Sequence, residues 1–215
     1  METTLGTPTL HHSPGACSRV PLVLLEATGR PYGLVTVQLQ QGEQHQPAFQ
    51  QLNPKGKVPV LVHLNQPLTE NVAIALWLSQ QHPKARLLPA AEETWAHAQA
   101  VSWLAWCATT LHPLIFRVRM AQRVTDVADA QPGVRRLALE ELGKQLQVAE
   151  RHLQHHHWLD AVGRTAPDIY LYWCTGRALE AGLPTDTLPN LVAHRDRVHA
   201  LPEVQRALAR EHTGV

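Results

Sequence analysis

Between Thr7 and about residue 82 the chain alternates short β-branched runs with short stretches of helical spacing. Thr7 to His12 predicts a strand, which Ser13, Pro14 and Gly15 break. Cys17 to Ala27 follows as a helix with Val20, Val23, Leu24 and Ala27 on one face, and Gly29 closes it as a C-cap. Leu34 to Leu39 alternates as a second strand, and a Gln-rich polar stretch leads to a short helix over Ala48 to Leu52. Val58 to Leu64 reads as a third strand, Asn65 and Gln66 as a turn, and Pro67 and Leu68 as a brief fourth strand. Thr69 is the expected N-cap of a helix reaching Gln81, with Val72, Ala73, Leu76 and Trp77 as its apolar face. The order β-α-β-α-β-β-α predicts a four-stranded mixed sheet with helices on its faces.

Beyond a proline-bounded linker at 83–89 the pattern is helical throughout. A long helix over Ala91 to Arg123 carries Trp95, Val101, Leu104, Ala108 and Leu111, with a kink or break expected at Pro113. Gly133 to Leu153 is the second long helix. Thr165, followed three residues later by Asp168 with Pro167 between them, predicts a capping box at the start of a third. Leu188 to Leu201 and Glu203 to Ala209 supply shorter helices. The predicted architecture is therefore an α/β domain over residues 7–82 and an all-helical domain over 90–212. The recurring tryptophans, Trp77, Trp95, Trp103, Trp106 and Trp173, are expected in the core or between domains.

At 215 residues the chain has room for one domain or two small ones, and 44% hydrophobic residues suffice for a packed core. A net charge of +1 predicts neither nucleic acid nor a membrane surface as partner. No apolar run approaches the roughly 20 residues of a membrane span. Met1 to Thr9 lacks the pattern of a signal peptide, so a cytoplasmic location is expected. Cys17, Cys107 and Cys174 lie far apart with no C-x-x-C, which argues against structural zinc and against a dithiol pair. His152 and His156 are spaced to share a helix face, but no acidic or cysteine partner is suitably placed, and no metal is expected. The 19 cationic residues include only four lysines, none before Lys55.

Three segments carry candidate chemistry. In Ser13-Pro14-Gly15-Ala16-Cys17-Ser18-Arg19 a thiol stands near a helix N-terminus, a setting that lowers a cysteine pKa or stabilises a thiolate brought by a ligand. A small buried cysteine in a turn fits the same segment. In Asn53-Pro54-Lys55-Gly56-Lys57-Val58-Pro59-Val60 the proline interrupts a strand, and a cis Val58–Pro59 bond would leave the Val58 backbone to pair with an extended peptide. An ordinary edge-strand proline is the alternative. In Leu68-Thr69-Glu70-Asn71-Val72-Ala73-Ile74 the N–H groups of a first helical turn can hold a carboxylate, and Glu70 an ammonium. A capped helix with an acidic first turn explains it equally.

The order and spacing of these segments, with Thr165-x-x-Asp168 and the stretch Trp103-Leu104-Ala105-Trp106 leading to His112, resemble the glutathione transferase superfamily, most closely its bacterial beta class. The resemblance covers nearly the whole chain. It implies a thioredoxin-like N-terminal domain that binds glutathione as co-substrate, a helical C-terminal domain that forms a pocket for a small hydrophobic electrophile, and a homodimer. It places Cys17 at the active-site cysteine, with Ser18 beside it as a further donor. Val58 and Pro59 fall where the backbone pairs with the cysteinyl part of glutathione, with Lys57 adjoining. Glu70 and Asn71 fall at the γ-glutamyl end, and His112 at a histidine reaching toward the sulfur from the helical domain.

The chain departs from the family pattern at several points. Asn71 stands where Ser or Gly is usual, Pro113 follows the histidine in place of lysine, Ala105 takes the place of an asparagine, and Gln38 to Gln46 contains no lysine. The reaction implied is attack of the glutathione thiolate on an electrophilic carbon. Two alternatives are thiol transfer or disulfide reduction through Cys17, and a non-catalytic binding module on the same fold.

Overall fold

A computed structural model describes residues 6–213 of the chain, so most of the Met1–Thr9 segment lies outside the described residues. By internal packing the chain falls into two compact units. One runs up to Leu88 and resumes at Leu201, and the other is Pro89–Ala200. The final helix, expected with the helical domain, groups with the sheet unit.

The sheet unit has the expected thioredoxin-like order. Strands β1 (Thr9–His12), β2 (Gly33–Thr36), β3 (Val60–His63) and β4 (Gln66–Thr69) form one sheet in the order β2-β1-β3-β4. β1 runs parallel to β2, with Leu10 opposite Leu34, and antiparallel to β3, with Leu10 opposite Leu61. The parallel pair needs a crossover, which helix α1 (Arg19–Thr28) supplies. Gly29 closes α1 in the left-handed conformation, as expected. β2 stops at Thr36, because two 3₁₀ turns over 39–41 and 43–45 lead into helix α2 (Pro47–Leu52). β3 begins only at Val60, since the cis Val58–Pro59 bond keeps those residues out of the ladder. The hairpin turn falls on Leu64 and Asn65, both at positive φ, and Gln66 already belongs to β4.

Two apolar faces differ from expectation. Every residue of α1 from Val20 to Glu26 is buried, not one stripe, because the helix packs against β1, helix α3 (Asn71–Gln81) and a C-terminal helix described below. On α3 the buried positions are Asn71, Ile74, Ala75 and Leu78, whereas Val72, Ala73, Leu76 and Trp77 are only partly covered. That helix has small or apolar residues on all sides over its first two turns, so periodicity alone cannot orient it. Leu10, Val20, Leu22, Val23, Leu24, Val60, Ile74 and Leu78 are inaccessible to solvent.

The helical unit comprises α4 (Thr94–Trp106), α5 (His112–Arg119), α6 (Gln131–Leu153), α7 (Ala166–Glu180) and α8 (Pro189–His199). Pro113 does not sever the first long helix. A π-helical turn over Cys107–Leu111 lets the His112 N–H reach the Cys107 carbonyl, and Pro113 then sits in the first turn of α5, where its missing N–H is harmless. Trp95 is 76% exposed, against the expectation that it packs inside.

The capping box is present. The Thr165 N–H donates to Asp168 Oδ2 (2.9 Å), while Asp168 Oδ1 accepts the Leu159 N–H (2.9 Å) and lies 2.8 Å from His194 Nε2. Asp168 and His194 are fully buried. A second buried carboxylate, Glu150 of α6, caps α8 by accepting the N–H groups of Asn190 (3.2 Å) and Leu191 (2.8 Å). Among the described residues no helix is long and apolar enough to cross a membrane.

Helix α9 (Pro202–Thr213) lies against α1 within the sheet unit. Glu26 of α1 accepts from Arg206 Nε (2.8 Å), Arg210 Nε (2.6 Å) and the Tyr32 hydroxyl. Burial alone would raise the Glu26 carboxyl, but these donors and the two guanidinium charges hold it below the usual carboxylate range.

Two measurements follow from these buried carboxylates. Because the folded-state pKa of Glu26 lies below its unfolded value of about 4.3, its contribution is intact above that pH and lost as pH falls through the folded value. Glu26→Gln should therefore lower stability most above about pH 5, with the difference from wild type shrinking under acid, in urea titrations across pH. Asp168→Ala should cost about 3–5 kcal/mol in urea unfolding at neutral pH, because it strands His194 and two backbone donors in the core.

Candidate functional site

The loop between β1 and α1 is folded by its own short-range bonds. The Ala16 N–H donates to Ser13 O and the Arg19 N–H to Ala16 O, each at 3.0 Å, and Gly15 takes the positive φ the reversal requires. Ser18 is buried. Its hydroxyl accepts the Ser13 N–H (3.1 Å) and lies 2.9 Å from His12 Nδ1 and 3.3 Å from Ser13 O. The Ser18 hydroxyl is thus committed to holding the turn. α1 begins at Arg19, two residues later than the spacing suggests, so Cys17 sits in the loop ahead of the first helical turn.

Cys17 is half-buried, and its thiol faces the carbonyl of Val58, to which it donates at 3.6 Å. The Val58–Pro59 bond is cis, as expected. The Asn71 amide lies near enough to the same sulfur to favour its thiolate. The sulfur has little water around it, and this desolvation outweighs Asn71 and the Lys57 charge and pushes the thiol up to about 11. The expectation of a lowered pKa is corrected: in the free protein Cys17 is a neutral thiol and a hydrogen-bond donor. The Asn71 Oδ1 is buried with no hydrogen-bond partner.

Glu70 occupies the N-cap of α3 in place of Thr69, at φ +75°, a region that residues other than glycine rarely adopt. Its exposed carboxylate pairs with Lys55 Nζ at 2.6 Å, and the same ammonium donates to Thr69 Oγ1 at 2.9 Å. The loop bearing Lys55 and Lys57 is fixed by buried Asn53, whose amide donates to Lys57 O (2.7 Å) and whose Oδ1 accepts the Lys55 N–H (3.1 Å). The roles of Asn53 and Lys55 went unread in the sequence. The Asn-Pro pair that favours such a side-chain turn was their signal.

The sheet unit therefore brings Cys17, Val58, Pro59 and Asn71 together, with Glu70 and Lys57 close enough for their charges to act on the sulfur. His112 belongs to the helical unit. It is half-buried at the start of α5, its Nδ1 lies 3.1 Å from the Tyr170 hydroxyl, and its ring stands edge-on to Trp173 at 4.7 Å. Cys107 and Cys174 are buried and form no disulfide among the described residues. His152 and His156 do not share a helix face, because α6 ends at Leu153; His156 stands just beyond it with its ring stacked on His152 at 4.3 Å, His152 Nε2 beside the Trp158 carbonyl and His156 Nδ1 beside that of His152.

Residues 8–80 match the family model described as glutathione S-transferase, N-terminal domain. The chain is 31% identical over 208 residues to glutathione S-transferase GstA of Escherichia coli O157:H7, covering 94% of this chain and 98% of that protein. A bacterial beta class glutathione S-transferase of Sphingomonas chungbukensis superposes with a TM-score of 0.83 at 28% identity, covering 94% of this chain and 98% of its own. A sphingomonad glutathione S-transferase complexed with glutathione superposes with a TM-score of 0.83 at 28% identity, over 95% and 98% of the two chains.

The raised thiol is open to direct measurement. Alkylation of Cys17 by iodoacetamide, followed by peptide mass spectrometry, should keep accelerating up to pH of about 11 instead of levelling near the ordinary thiol value of about 8.5. Asn71→Ala removes a donor that favours the thiolate, and should slow the reaction at any pH below that.

Proposed function

This chain belongs to the glutathione S-transferase family, and from that premise we propose that it binds reduced glutathione beside Cys17 and transfers it to a small hydrophobic electrophile. The observation that carries this reading is the convergence of the Cys17 thiol and the Val58 backbone at the cis bond with the N-terminal end of α3 bearing Glu70 and Asn71. An extended thiol peptide with an ammonium and a carboxylate at one end suits that array. The Val58 backbone pairs with its peptide group, Glu70 accepts from its ammonium, and the first N–H groups of α3 receive its carboxylate. The Lys55–Glu70 pair is solvent-exposed and worth at most about 1 kcal/mol, so a ligand ammonium can displace it. Lys57 supplies cationic charge on the same side.

In this reading Cys17 stays protonated. When glutathione takes up the Val58 backbone, the Cys17 S–H turns from that carbonyl to the glutathione sulfur and, with the Asn71 amide, stabilises the thiolate once its proton has passed to water. The thiolate attacks the electrophilic carbon, a C–S bond forms, and the leaving group departs with the electron pair. The alternative, in which Cys17 itself attacks a disulfide, draws on a thiolate fraction on the order of 10⁻⁴ at neutral pH with the thiol at about 11. That fraction favours conjugation.

Calorimetric titration of the reduced protein with glutathione should show binding that Glu70→Ala weakens at least about tenfold. No heat and no thermal shift at millimolar glutathione would overturn the proposal in favour of a binding module. Cys17→Ala separates the two chemistries. Conjugation to a model aryl halide should persist within roughly tenfold, whereas loss of all turnover together with disulfide exchange would identify Cys17 as the nucleophile.

A further inference from the structure

The reaction just proposed makes no use of a second buried charged node of the sheet unit. Glu211, near the end of α9, has a side chain only 4% exposed. Its Oε2 accepts the Gly15 N–H at 3.3 Å, two residues before Cys17. Its two oxygens also take both arms of Arg19, Nε at 3.0 Å and Nη2 at 2.5 Å, two residues after Cys17. His12, at the end of β1, presents Nε2 to Oε1 at 3.4 Å and reaches Ser18 through Nδ1. One carboxylate thus fastens both flanks of the cysteine and borders the histidine that anchors its turn. From the C-terminal helix we infer a clamp in which Glu211 is a positioning residue for Cys17, holding the loop so that the thiol stays turned to the Val58 carbonyl. Its effect on the loop stands independently, and its bearing on catalysis rests on the function proposed above.

The geometry distinguishes this clamp from simple docking of α9. The same helix is held a turn earlier by Arg206, whose guanidinium bonds the Glu26 carboxylate (2.8 Å) and carbonyl (3.0 Å) and makes no contact with the cysteine loop in those bonds. A charge-assisted bidentate pair with a third, backbone donor resists rotation of the carboxylate. Without it Gly15 loses the Glu211 bond in the segment where the chain reverses at positive φ. The loop then has freedom to swing and the sulfur to gain water.

The test is the reactivity of Cys17, which needs no bound glutathione and so can fail or succeed separately from the proposed function. In Glu211→Ala the rate of Cys17 alkylation at pH 8 should rise by roughly tenfold or more, and its pH midpoint should fall from about 11 toward the ordinary thiol range. Glu211→Gln, which keeps an acceptor for Gly15 but loses the charge pair, should fall between. Arg206→Ala should lower the melting temperature while leaving the alkylation rate within about twofold of wild type. A wild-type profile in folded Glu211→Ala, or equal acceleration in Arg206→Ala, would overturn the clamp. Should the alanine variant not fold, amide exchange of Gly15 in the unaltered protein decides. Protection on the scale of the β1 strand is expected, and exchange at a solvent-exposed rate would refute the inference.

Discussion

Helix α1 carries more apolar surface than one face of a small sheet can cover, and much of the sheet unit follows from that excess. Seven consecutive residues from Val20 to Glu26 are buried, so the helix must be enclosed from several directions. The sheet and α3 cover part of it, and α9 returns from the far end of the chain to cover the rest. Burial on that scale places polar atoms under α9 as well, and each has to be matched. Glu26 is matched by Arg206 and Arg210, and Arg19 by Glu211. The cover of a hydrophobic helix thus brings a carboxylate from the C-terminus to the loop that carries Cys17.

The chemistry of the candidate site is governed by desolvation set against a few aimed donors. A helix terminus favours an anion when the anion lies in its first turn, but Cys17 precedes that turn and its sulfur is screened from water. The outcome is a neutral thiol that donates, with the Asn71 amide nearby. Such a pair suits a sulfur anion arriving with a ligand better than one generated in place. The positive φ of Glu70 belongs to the same design. The backbone is held in a costly conformation at the N-cap of α3, where the side chain stays in solvent beside Lys55 and the α3 N-terminus stays uncapped by any side chain of its own.

In the helical unit, buried carboxylates cap two helices, one from within the local Thr165–Asp168 box and one from far along the chain. Asp168 joins the start of α7 to the 159–165 loop and to His194, and Glu150 performs the same service for α8 across 40 residues of chain. Pro113, a break by local rule, is absorbed by one π-helical turn. Each is a local cost offset by a distant or neighbouring partner.

The succession of strands and helices, the cis Val58–Pro59 bond, the Thr165–Asp168 box and the grouping of Cys17, Val58 and Asn71 were legible in the chain, because each is written in residues close in sequence or in three ordered segments of a known family. The apolar face of α3 was not legible, since a helix that is small or apolar around most of its surface has no polar side to orient it. Neither were the hold of Glu211 on Gly15 and Arg19, separated by 196 and 192 residues, nor the state of the Cys17 thiol. Local pattern determines which backbone conformation a segment adopts. Which groups lose water, and which distant charge replaces it, is decided only when the segments pack, because desolvation is a property of the assembled neighbourhood and no single segment contains it.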